Sequence, residues 1–214
     1  MMRTEKEKMI AGDFYLSGND VEINAGLSRA RSLLYKFNQS HPHDEELRYG
    51  IIKELFGKSP DLFLVETPFK CDHGFNISVG DYFFANFDCT MLDVAPITIG
   101  DRAYLGPKVG LYTANHPIDK DIRHEFYEFG SPITIGDDVW LGANTIVTPG
   151  VTIGSNVVIG AGSVVTKDIP DNVIAVGNPC KVLRPITDED KAYWQARKEE
   201  YQAELAEGNQ IEEK

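Results

Sequence analysis

The sequence is poor in cysteine: Cys71, Cys89 and Cys180 stand far apart, and no CxxC pair exists. Neither a disulfide framework nor a thiolate zinc site is supported, so the three read as reduced, partly buried small hydrophobes. Long apolar runs are missing too, and none approaches the roughly 20 residues that span a bilayer. The start, "MMRTEKEKMIAGDFY", is charged and lacks the apolar core and cleavage site of a signal peptide. A cytoplasmic protein is expected. Positive charge is also short, with 21 Lys plus Arg against 33 Asp plus Glu and a net charge of −12. That deficit argues against nucleic acid or an anionic membrane as the main partner. A polyanionic ligand would have to find a local basic cluster.

What is present is a count of six. Ile135, Leu141, Val147, Ile153, Ile159 and Val165 place an aliphatic residue at every sixth position. Gly136, Gly142, Gly154 and Gly160 follow one position later, and the small or β-branched Val139, Thr145, Val151, Val157, Ser163 and Ile169 four positions later. A helix has no such period. Short strands joined by tight turns do, each inward aliphatic stacking on its counterpart one coil along. Glycine is expected after the aliphatic because such turns favour backbone states that a Cβ penalises. The pattern is that of a left-handed parallel β-helix. Ile99, Leu105 and Leu111 form an earlier array, whereas Val79, Ala85, Met91 and Ile97 keep the six two residues out of phase, an irregularity expected near one end of the prism.

Upstream, Leu27, Ala30, Leu34 and Phe37 recur at helical spacing, and Leu47, Ile51 and Leu55 mark one face of a further helix. Downstream, "TDED" fits a capping box, with Trp194, Tyr201 and Leu205 along one face of a terminal helix. The expected fold is mainly β: a helical N-terminal cap over 1–60, the β-helix over 61–186 with an extruded loop at 113–132, and a C-terminal helix and tail over 187–214.

The loop breaks the count. Continuing the six from Leu111 would put Pro117, Arg123 and Phe129 in the aliphatic slots, where they cannot stack inside a narrow prism. A long loop in a compact repeat is more often functional than accidental. At its mouth stands His116, followed by Pro117, which fixes the backbone, and preceded by the polar Tyr112, Thr113 and Asn115. A neutral imidazole, ordinarily titrating near 6.5, suits a general base acting on a hydroxyl. The plainer alternative is a turn histidine satisfying a backbone group.

Here the chain resembles a known family. "EKEKMIAGDFY", "GFNISVGDYFFANFDCTMLD", "YTANHPID" and "GAGSVVTKDIPDNVIAVGNPCKVLR" are similar to segments of the maltose and galactoside O-acetyltransferases, the sugar branch of the hexapeptide-repeat acyltransferases. The resemblance covers nearly the whole chain. It implies acetyl transfer from acetyl-CoA to a sugar hydroxyl with no metal required, His116 acting as general base and the thioester attacked directly. It implies an oxyanion donor in the backbone N–H of Ala143, an acceptor-site Asn86, and Glu128 orienting His116, against the alternative of a solvated loop charge. Asp72 and Asp93 are possible acceptor ligands, or else turn formers. Ser17 falls where relatives carry an acidic residue after "AGxxY", which leaves the sugar open. For the donor, the resemblance implies Lys167, Lys181 and Arg184 for the CoA phosphates and Ala161, Gly162 and Thr166 along the pantetheine. Trp140 either walls that cleft or simply packs. Relatives are trimers with clefts between prisms, so a homotrimer is implied.

Three other readings stand beside this one. An antibiotic hydroxyl would suit the same chemistry. A zinc lyase resembling γ-type carbonic anhydrases would use His73, His116 and His124. A non-catalytic binding module would share only the fold.

Overall fold

Three helices open the chain, each started by its own sequence. The computed structural model describes residues 3–18 and 20–212, with side chains as far as Ala206. Helix α1 (Glu5–Ala11) begins at a capping box between Thr4 and Glu7 and ends at Gly12 in the left-handed region. Helix α2 (Val21–Asn38) is capped by Asp20, whose carboxylate accepts from the Ile23 N–H at 2.8 Å. Helix α3 (Glu45–Leu55) has Glu45 and Glu46 in its first turn, where they oppose the helix dipole. Ala30, Leu33, Leu34 and Phe37 of α2 pack with Ile51, Ile52 and Leu55 of α3 on the start of the repeat. Leu47 does not join them: it is 54% exposed, and Ile52 takes its place in the buried stripe.

From Phe63 the chain winds as a parallel β-helix with three flat faces. The first face stacks Phe63–Val65, Phe83–Ala85, Tyr104–Leu105, Trp140–Leu141, Val158–Ile159 and Val173–Val176. The second stacks Phe69–Cys71, Cys89–Leu92, Gly110–Tyr112, Ile146–Val147 and Val164–Val165. The third stacks Ile77–Val79, Ile97–Ile99, Ile133–Ile135 and Thr152–Ile153. Register follows the count of six: Ile99 pairs with Ile135 and Ile135 with Ile153, Leu105 with Leu141 and Leu141 with Ile159, and Leu111 with Val147. All are buried. Thr145 and Ser163 are also buried, each hydroxyl donating to the carbonyl three residues back, Gly142 and Gly160. A small polar residue thus fits a corner of the core without an unmet hydrogen bond.

The glycines after the aliphatic have a different cause from the one expected. Gly136, Gly142, Gly154 and Gly160 do not adopt positive φ. A Cβ on Gly142 would instead lie 2.6 Å from the backbone nitrogen of Ala161 in the next coil. Close approach between coils excludes the side chain there. The left-handed backbone falls two residues later, at Asp138, Asn144, Asn156 and Gly162, where φ runs from 53 to 73°. Asn and Asp tolerate that region better than other non-glycine residues.

The two-residue phase slip falls at one corner of the first two coils, near one end of the prism as expected. Met91 pairs with Leu111 and Val79 with Ile99, each twenty residues on, whereas Leu141 pairs with Ile159 eighteen on. The extra residues lie between the second and third faces, at Cys71–Val79 and again at Met91–Ile99. The loop leaves from this same corner one coil later, after Leu111.

The helical cap packs on the β-helix as expected of a cap, and the two form one compact unit reaching Leu183. A second unit begins at Arg184. It carries helix α5 (Asp188–Glu212), which continues well into the segment expected as a tail. Thr187 and Asp190 close its start reciprocally.

Candidate active site

The widened corner is held together by polar side chains that replace missing strand contacts. Asp93, 0% exposed, accepts from the backbone N–H groups of Asp72 and His73 with one carboxylate oxygen and of Asn76 with the other. Burial pushes its carboxyl up while those bonds pull it back. Asp93 therefore secures the turn of the coil before it, the second of its two expected roles, and is fully buried there. Thr113 repeats the device one coil on: its hydroxyl donates to the Leu92 carbonyl at 2.6 Å and accepts from the Ala95 N–H at 2.9 Å.

The loop is a small folded unit. Ala114–Asn115 pairs antiparallel with Phe129–Gly130, and Lys120–His124 forms α4, capped by Asp119. Arg123 of α4 donates to the carbonyls of Pro117 and Ile118. The strand register, Phe129 with Asn115, sets Glu128 opposite His116 when extended by one residue. His116 is exposed; Asn115 beside it donates to the Ser131 hydroxyl at 3.2 Å.

The N-terminal segment joins this ribbon through a single antiparallel bridge. Tyr15 and Glu128 exchange backbone hydrogen bonds of 3.0 and 3.1 Å. The Tyr15 hydroxyl also donates to the Glu128 carboxylate at 2.7 Å, and Ser17 to its other oxygen at 3.4 Å. Glu128 makes no hydrogen bond to His116 among the described residues. Tyr15 is 2% exposed in a cluster with Met9, Ile23 and Val94, and burial together with its bond to Glu128 drives its phenol well above the usual range. Nothing in the sequence had singled it out. The only available signal is its place in "AGDFY", four residues after the end of α1.

Asp72 lies on the same corner. Burial first, then the Asp93 and Glu128 carboxylates, push it from the ordinary 3.8 up to about 6. His73, adjoining it, is 2% exposed, and burial pushes it from 6.5 down to about 4, so it is neutral at pH 7 with an unpartnered Nδ1. His116 and His124 are exposed while His73 is enclosed by the cap, so the three histidines proposed as zinc ligands are dispersed. No group of three His, Cys, Asp or Glu side chains is placed to hold a metal among the described residues.

The remaining candidates sit on a different corner, between the first and second faces. There Asn86, Gly106, Gly142 and Gly160 form one column, each N–H donating to the next coil. Phe87, Pro107, Ala143 and Ala161 form the next. The Phe87 N–H is taken by the Asn86 side chain at 2.8 Å, which leaves the Asn86 amide N–H groups free. Pro107 has no N–H. Those of Ala143 and Ala161 have no acceptor among the described residues. Gly162, next in line, faces open space: nothing lies within 4 Å of the Cβ it lacks. Two donors without an acceptor among the described residues, beside the open position at Gly162, suit a carbonyl-bearing chain laid along the corner.

Two family models match the chain: the maltose acetyltransferase hexapeptide capping motif over residues 8–60 and the bacterial transferase hexapeptide (six repeats) over 132–167. Galactoside O-acetyltransferase of Escherichia coli (strain K12) is 46% identical over 166 residues, 78% of this chain and 82% of that protein. The chain belongs to the maltose/galactoside O-acetyltransferase family. The crystal structure of a maltose O-acetyltransferase from Clostridium difficile 630 is 50% identical to this acetyltransferase, with a TM-score of 0.85 over 86% of this chain and 98% of that one. A galactoside acetyltransferase in complex with coenzyme A is 42% identical, with a TM-score of 0.85 over 89% and 94% of the two chains.

In the acetyltransferase, Thr166, Lys167 and Lys181 are exposed near the end of the prism. Arg184 belongs to the second unit, where both carboxylate oxygens of Asp190 accept from its guanidinium at 2.6 and 2.7 Å. That pairing leaves Arg184 less free for a phosphate than the two lysines. Trp140 is 54% exposed and stands in a column of outward side chains, Leu64, Phe84, Tyr104, Trp140, Val158 and Ile174, paired in register along the first face. Among the described residues no helix is long and apolar enough to cross a membrane.

Proposed function

We propose that this acetyltransferase moves acetyl from acetyl-CoA to a hydroxyl of a sugar, with His116 as general base. The observation that carries the reading is the break in the repeat, which puts an exposed imidazole beside a hydroxyl- and carboxylate-lined corner. His116 takes the proton from the acceptor hydroxyl as its oxygen attacks the thioester carbonyl. The Ala143 N–H stabilises the resulting oxyanion. Collapse breaks the C–S bond, and the imidazolium returns the proton to the departing thiolate. Ser17, Asp72 and Glu128 provide acceptors and a donor suited to sugar hydroxyls. The pantetheine lies along Ala161 and Gly162, and Thr166, Lys167 and Lys181 meet the phosphate end. An acceptor panel of neutral mono- and disaccharides and hydroxylated antibiotics, scored by thiol release, tests this. Turnover on sugars is expected; turnover confined to antibiotics would retain the chemistry and reject the substrate class.

The two groups of residues lie on different corners of one prism, His116 and Asp72 on one, Asn86, Ala143 and Ala161 on the other. A complete site therefore needs a second copy, and the apolar column on the first face provides a surface for it. The reading is a homotrimer with its active sites between subunits. Light scattering should give the mass of three chains. Mixing inactive His116→Ala and Asn86→Ala proteins under subunit exchange should restore part of the activity, because some clefts then hold both native residues. No recovery after verified exchange would place the site within one chain.

Asp72 supplies a further prediction. Its carboxyl is raised when folded, so folding favours the protonated form: this contribution is greatest below about pH 4 and is lost as pH rises through about 6. At pH 7 the charge is a liability of about 1–2 kcal/mol, after discounting for partial solvent contact. Asp72→Asn should raise the melting temperature at pH 7 by about 2–6 °C and lower acceptor turnover. The gain in stability should vanish near pH 4.

A further inference from the structure

We propose that Tyr15 is a positioning residue of the acetyltransferase, acting through Glu128, which makes the N-terminal segment a working part of the active site. The proposal rests on the reading of His116 and its corner as the site of acetyl transfer. Within the described residues, Tyr15 is the residue that engages Glu128 through both backbone and side chain: two ladder hydrogen bonds and a phenol–carboxylate bond of 2.7 Å. The charge-assisted bond is of the stronger kind. The phenol itself is 2% exposed and anchored among Met9, Ile23 and Val94, so it cannot follow the loop if the loop moves. Around it, Phe14 packs its ring 5.8 Å from Tyr127 and 5.5 Å from Phe129, and Gly12 passes close to the Gly130 carbonyl, where a Cβ would lie 2.9 Å away.

The consequence concerns direction. Glu128 stands opposite His116 in register but turns its carboxylate to Tyr15 and Ser17. Held there, it forms a fixed wall of the acceptor pocket together with Asp72. Without the phenol, the same carboxylate is held only by the longer Ser17 bond on a partly exposed loop, and the acceptor loses a pre-oriented partner while the donor loses nothing. Tyr15 is too enclosed to touch a substrate, so its effect must pass through Glu128.

The test is a double-mutant cycle on the full chain, with the best sugar from the acceptor panel. Tyr15→Phe should lower acceptor kcat/KM about tenfold, leave the KM for acetyl-CoA within twofold, and keep the melting temperature within a few degrees. Glu128→Gln, on a partly exposed loop that cannot collapse the core, should cause a comparable loss. In the Glu128→Gln background, Tyr15→Phe should cost less than twofold. Wild-type acceptor kcat/KM in Tyr15→Phe, or the same loss in both backgrounds, would overturn the proposal. Unimpaired turnover in His116→Ala would instead overturn the underlying reading of the site, so the two failures are distinguishable.

Discussion

Replacing His116 with alanine should lower kcat by about 10²–10⁴-fold, the contribution typical of a positioned base. CoA affinity should stay nearly unchanged, because the N–H groups of Ala143 and Ala161 and the lysines proposed to hold the donor lie on another part of the scaffold. His116 is exposed and outside the hydrophobic core, so the variant should also melt where the native protein does. Steady-state turnover, CoA titration and a thermal melt separate the outcomes. A fall in kcat alone fits a base. A parallel loss of CoA binding or stability would make His116 a structural turn residue instead.

Gly142→Val carries the largest expected effect on stability. Its Cβ would meet the Ala161 nitrogen at 2.6 Å and the Ala161 Cα and Ile159 carbonyl oxygen at 2.9 Å, all backbone that cannot swing aside. Forcing two coils apart should cost about 3 kcal/mol or more, a fall in melting temperature of about 6–12 °C. Gly162→Ala is the informative contrast, since nothing lies within 4 Å of its Cβ but φ is +73°. That change should cost only about 1–2 kcal/mol, the penalty for an L residue in the left-handed region. Equal losses at the two positions would contradict the division between glycines required by contact and those required by conformation.

That division marks where sequence reading reached its limit. The period of six gave the inward columns and the parallel stacking, because identical coils repeat the same contacts and so the same residues. It could not say why glycine follows the aliphatic, since approach between coils leaves no trace within one coil. The phase slip before Ile99 was visible as arithmetic, but its meaning depended on strand register: the extra residues fall at the corner from which His116 later emerges. His116 stands out as a candidate because it breaks a pattern, and Asn86 because it lies in a motif. For Asp93 the sequence offers acceptor ligand and turn former alike, because a carboxylate that binds backbone N–H groups looks the same in sequence as one that binds a sugar. Tyr15 was not found at all. Its partner is 113 residues away, and no periodicity connects an N-terminal tyrosine to a loop glutamate.

The central claim is that the acceptor hydroxyl, activated by His116, attacks acetyl-CoA directly. The intact mass of the protein after incubation with acetyl-CoA alone, set beside the products formed once a sugar is added, tests it most directly. The account predicts an unmodified protein in the first sample and a sugar acetyl ester, matched by released CoA, in the second. An acetylated protein that passes its acetyl group to the sugar would contradict it.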